Sequence, residues 1–222
     1  FYLGGLIAIA AMSLFMTLGW NAFGGIGIFL IACGYGVAAC LVADWLLWQQ
    51  RQPIPAGLLA ALAVTMVPLA IYGLQAQLGY WDYNHTEYRD FHRYIDWRWL
   101  MMEFATLAAG AVVLWRFRLP FAMLPIAVTL WYMSMDFAAY LAQDSEGWYS
   151  ESGWQLRATI SMLFGAVMVA IALWIELRQY AVAAGRLDRR DFAFWLYVVG
   201  VLTFWGGLSS QNSGSEFGKL IY

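Results

Sequence analysis

Apolar residues run in long stretches along almost the whole chain, and polar residues gather in short intervals between them. A membrane span needs roughly 20 consecutive apolar residues. Runs of about that length predict seven spans: 1–18, 24–48, 54–78, 99–115, 119–141, 154–177 and 192–208. Such runs must be helical, because lipid cannot satisfy open backbone groups. The expected fold is therefore all-α, a polytopic transmembrane bundle forming a single domain over residues 1–222. GWNAFGG reads as the turn between the first two spans, QQRQP ends the second, and RFRLP breaks the fourth from the fifth. Pro55 sits in a first-turn position, where its missing N–H costs nothing. Pro68 and Pro125 fall inside spans, where a proline removes a ladder bond and can kink the helix; both read as packing kinks rather than hinges. Ala32/Gly36 and Ala105/Ala109 have the four-residue spacing of small residues that lets helices approach closely. After the last span, SSQNSGSEFGKLIY begins as a turn. LIY reads as the opening of an eighth span beyond the end of the sequence, and GSEF reads equally well as a cloning remnant.

One interval is much more polar than the rest: YRDFHRYIDWRW, Tyr88 to Trp99. Tyr88, Phe91, Ile95 and Trp99 are spaced 3, 4 and 4, which is one helix face. Arg89, Asp90, His92, Arg93 and Asp96 fall elsewhere. The pattern predicts an amphipathic helix at the membrane interface before span four, with Tyr88, Trp97 and Trp99 at headgroup depth. An interfacial anchor is the first reading; a lid over a cavity and a surface catalytic element are the others.

Composition agrees with the spans. Hydrophobic residues make up 63% of the chain and charged residues 12%, about half the charged share of a soluble domain. No signal-peptide pattern precedes the first apolar run, so it reads as a true span. A net charge of −2 and the lack of any basic repeat exclude a nucleic-acid partner. Arg51, Arg116, Arg118, Arg178, Arg186, Arg189 and Arg190 all follow even-numbered spans, whereas the opposite face has Arg89, Arg93 and Arg98 among acids and the acidic QDSEGWYSESG. Arg and Lys mark the cytoplasmic side, so the N-terminus is expected inside. Arg outnumbers Lys eleven to one; that bias, with abundant Ala, points to a bacterial source and so to an inner membrane.

Three charges fall within spans. Glu103, Asp136 and Arg157 each lie roughly 5–9 Å in from the outer ends of spans four, five and six. Consecutive spans joined by short loops are neighbours, and an unpaired charge at that depth is costly. The three are expected to form one polar intramembrane cluster, with Arg157 serving at least one acid. As a functional group they would line an outward-facing pocket; as a structural one they would lock the helices. Asp44 lies near the inner end of span two, within reach of Arg51 or Arg116.

Little else carries chemistry. His85 and His92, seven apart and close to several acids, are weak metal candidates, since zinc needs a third protein ligand. Cys33 and Cys40 read as packing residues. GSEFGK lacks the spacing and the preceding strand of a phosphate loop. No catalytic nucleophile has a partner, no cofactor is implied, and an enzyme is the weakest reading. The expected partners are the lipid bilayer and, within it, either further copies of the chain or a larger membrane complex.

DFHRYIDWRWLMMEF, LPFAMLPIAVTLWYMSMD and DFAFWLYVVGVLTFWGGLS resemble a family of bacterial multi-pass inner-membrane proteins that carries a domain-of-unknown-function label. The resemblance implies location and fold but no chemistry and no functional residues. The expectation is a small transport or sensing protein with an outward-facing polar pocket; the alternative is a scaffold or accessory subunit.

Overall fold

A computed structural model describes the backbone of residues 2–81, 97–142, 151–182 and 191–211, and side chains within 23–81, 97–138, 153–178 and 191–211. Among the described residues there is helix and no strand. In chain order the helices are α1 (Tyr2–Trp48), α2 (Pro53–Gln77), α3 (Trp97–Phe117), α4 (Met123–Ala142), α5 (Glu151–Val182) and α6 (Phe194–Gln211). A 3-10 turn, Pro120–Ala122, leads into α4.

Among the described residues, five segments are long and apolar enough to cross a membrane: Phe23–Trp48, Pro53–Gln77, Trp97–Phe117, Pro120–Ala138 and Gly153–Arg178. The chain is accordingly an integral, multi-pass membrane protein. The two remaining apolar runs are also helical. Residues 2–23 form the first half of α1, and α6, with 18 residues, is about 27 Å long at 1.5 Å per residue. The break inside α1 falls on Gly24, whose φ of 61° and ψ of −176° belong to a region that only glycine enters readily. The turn expected over GWNAFGG is thus reduced to one residue.

Successive helices pack side by side, α1 on α2, α2 on α3, and so on to α5 on α6, while α4 also touches α2 and α6. The tightest seams are built on glycine. A Cβ at Gly25 would meet the Gly73 carbonyl at 2.6 Å, and one at Gly165 would meet the Gly200 carbonyl at the same distance. These pairs bring backbones together where any side chain would wedge them apart. Spacing had pointed to Ala32/Gly36 and Ala105/Ala109. Ala32 is buried, but a Cβ at Gly36 would have its nearest neighbour at 3.8 Å, so that pair does not mark the closest approach. The α5–α6 seam is further held by Tyr197, which donates to Glu176 Oε2 at 2.8 Å, and by Gln211, which donates to Thr159 Oγ1 at 2.8 Å.

Pro68 lies inside α2, as expected. Pro125 does not interrupt a helix: α4 begins at Met123, so Pro125 occupies its first turn, where its missing N–H removes no ladder bond. Tyr88, Phe91, His92 and Ile95 of the expected interfacial helix, and the metal candidate His85, lie outside the described residues. Trp97 and Trp99 are on α3. Trp97 is exposed and meets Tyr80 edge-on at 5.3 Å, whereas Trp99 turns inward against Trp81 at 5.9 Å.

Candidate functional site

The Trp81 end of the bundle, where α2 finishes and α3 begins, is fixed by a polar knot in an apolar cluster. Gln75 is 2% exposed, and both ends of its amide are used. Its Nε2 donates to the Arg98 carbonyl at 3.2 Å, and its Oε1 accepts from Trp81 Nε1 at 3.1 Å. The Arg98 guanidinium lies 4.7 Å over the Trp81 ring and donates to the Tyr80 carbonyl. Ala76, Trp81 and Met102 are buried around this knot, with Ile71, Tyr72 and Trp99 packed against them. The knot sets the register of α3 against α2. Gln75 was passed over in the sequence, although Gln75 and Gln77 near the end of an apolar run were a visible signal.

One turn further along α3 stands Glu103. Glu103, Thr106 and Gly110 are spaced 3 and 4 and form the buried face of α3. The Glu103 side chain is 8% exposed, and it comes within hydrogen-bonding range of Asp136 on α4. Its Oε2 is buried with no hydrogen-bond partner among the described residues. Buried polar atoms in folded proteins are nearly always partnered, which makes this carboxyl an exception beside the fully used Gln75.

Glu103 opens onto a groove of about 530 Å³ between α2, α3 and α4. Leu58, Leu62, Leu124 and Val128 line its apolar length, and Trp99 and Tyr132 stand as aromatic walls nearer the acid. Three threonines also face it, but their hydroxyls are committed to their own helices. Thr65 donates to Leu62 O at 2.8 Å, Thr106 to Met102 O at 2.6 Å, and Thr129 to Pro125 O at 2.8 Å. The carboxyl of Glu103 is therefore the acidic group among the lining residues of a mostly apolar channel. Pro68 and Pro125, far apart in sequence, both line this same groove.

Arg157 lies in a neighbouring pocket, also of about 530 Å³, walled by Trp131 and Met135 of α4 and by Ser161, Thr203 and Gly207. Its guanidinium is 5.8 Å over the Trp154 ring. Glu103 and Asp136 come together between α3 and α4, and Arg157, on α5, lines a pocket that also reaches α4 and α6. At the other end of α3, Arg116 binds Asp44 at 2.6 Å, one of the two pairings its sequence position allowed. Cys33 and Cys40 are free, half-buried thiols on α1. Among the described residues no three His, Cys, Asp or Glu side chains gather as a metal site.

Comparison with known proteins gives no matching family model, no matching curated protein and no matching solved structure.

Proposed function

We propose that the chain is a small transport or sensing protein of a bacterial inner membrane, related to the multi-pass family its segments resemble. In this reading it spans the membrane seven times with its N-terminus in the cytoplasm. The Glu103 end of the groove then faces the outer leaflet, below the interfacial helix of residues 88–97. Cysteine labelling from the periplasm at position 186, with none at position 148, would reverse that topology.

The ligand site is the groove under Glu103 and Asp136, and the ligand is an amphiphile with a cationic amine head and an apolar tail. The observation that carries this reading is the unpartnered Glu103 Oε2 at the head of an apolar channel. A buried carboxyl without a partner costs stability, and a bound ammonium would relieve that cost. Trp99 and Tyr132 line the same groove, and aromatic rings attract such a cation. The apolar length below would take the tail.

A fluorescent long-chain amine, titrated onto the purified protein in nanodiscs, tests the reading. Wild-type protein should bind the amine at least about tenfold more tightly than the alcohol of equal chain length, a difference of about 1.4 kcal/mol. Equal binding of the two compounds would leave the carboxyl without a role in recognition and would favour a scaffold.

A further inference from the structure

The opposite end of the bundle carries a second groove, larger and of opposite sign. It holds about 1270 Å³ and is lined by the ends of α1 and α3 and by Phe192. Its charged lining residues are Arg51, Arg116 and Arg118, and its lining contains no acid. Asp44, just outside the lining, holds Arg116. Asp191, next in sequence to the lining residue Phe192, accepts the Phe194 N–H at 3.0 Å and so caps α6.

The backbone singles out two of these arginines. Among the described residues, Arg51 and Arg118 are the non-glycine positions with positive φ, at 54° and 51°. Each follows the C-terminus of a helix. The Gln52 N–H after Arg51 bonds the Leu46 carbonyl at 3.0 Å, and the Arg118 N–H bonds the Leu114 carbonyl at 2.9 Å. These are left-handed caps, where glycine is the usual residue and asparagine the next. A helix C-terminus favours a cation, but one anywhere in the last turn would serve. Two arginines in left-handed caps, both lining one groove, point to their side chains as the reason.

The apolar part of the lining matches a lipid. Trp48 and Trp115 flank the arginines and are strongly exposed, as tryptophans at headgroup depth are. Ala111 and Leu114 continue the groove along α3 toward the bilayer interior. Basic pockets between transmembrane helices attract anionic headgroups, and guanidinium forks bind phosphate oxygens in pairs. We propose that this groove binds a two-chain anionic phospholipid, its phosphate held by Arg51, Arg116 and Arg118 and its chains laid along Ala111 and Leu114. The site lies at the far end of α3 from Glu103 and does not rest on the function proposed for that groove.

The test replaces both left-handed arginines with residues that suit their backbone. Arg51→Gly with Arg118→Gly removes charge while relaxing the caps, and Arg51→Asn with Arg118→Asn is the second variant should the first fold poorly. Full-length protein in detergent is titrated with phosphatidylglycerol, with phosphatidylcholine of the same chains, and with glycerol phosphate, and binding is read by native mass spectrometry. Wild type should bind phosphatidylglycerol at least about tenfold more tightly than phosphatidylcholine, equivalent to about 1.4 kcal/mol. Both variants should lose that preference without unfolding at a lower temperature in the absence of lipid. Retention of the preference in the variants would overturn the proposal. So would full displacement of phosphatidylglycerol by equimolar glycerol phosphate, which would mark a soluble phosphate as the ligand.

Discussion

Glu103 and Arg116 stand near opposite ends of α3, about 20 Å apart along its axis at 1.5 Å per residue. Arg116 is half exposed and has met its counter-ion, Asp44, at 2.6 Å. Glu103 is buried, its nearby charged group is another acid, and one of its oxygens has no partner among the described residues. One helix therefore carries an ordinary interfacial ion pair at one end and an acid held at a cost at the other. Exposed pairs contribute little because water already solvates both charges. A buried group left unsatisfied persists when something outside the fold uses it. The contrast with Gln75 sharpens this, since that side chain is more buried than Glu103 and has both amide ends satisfied.

The largest stability effect should come from breaking that satisfied neighbour. Gln75→Leu leaves the Trp81 indole N–H and the Arg98 carbonyl without their partner and should destabilise the protein by about 1–3 kcal/mol, read as a lower unfolding temperature in detergent. If Gln75→Leu is harmless, the Trp81 knot does not position α3. The next effect is on binding. Glu103→Gln keeps shape and removes charge, and should weaken the long-chain amine at least about tenfold, or about 1.4 kcal/mol, with the unfolding temperature not lowered. A fall in stability without a change in binding would make Glu103 a structural residue. The smallest effect belongs to the other end of the helix: Asp44→Asn should cost less than about 1 kcal/mol. Added salt should shrink even that difference, because exposed charges are screened.

Much of this contrast was legible in the sequence, for physical reasons. Lipid forces long apolar runs into helices, so the helical segments could be read from run length. A charge near the end of a span must find a counter-ion at its own depth, which was enough to bring Asp44 near Arg116. The character of the groove was not legible. Thr65, Thr106 and Thr129 look polar in the sequence, yet each hydroxyl bonds its own helix and leaves the channel apolar. Depth along a helix also says nothing about which side of it a residue faces. The same limit hid the glycine seams: Gly25 and Gly73 come together because of how α1 and α2 cross, and no spacing within either helix encodes that.

The central claim is that an amine head docks at Glu103 with its tail in the α2–α3–α4 groove, and photolabelling tests it most directly. A long-chain amine carrying a diazirine in its tail is bound to the protein in nanodiscs, irradiated, and the labelled residues are mapped. Labels should concentrate on Leu62, Thr65, Leu124 and Val128, which line the groove, and should disappear from them in the Glu103→Gln variant. Labelling spread over outward-facing residues such as Leu41 and Leu163, and unchanged by that substitution, would mean that the amine merely partitions into the surrounding lipid, contradicting the account.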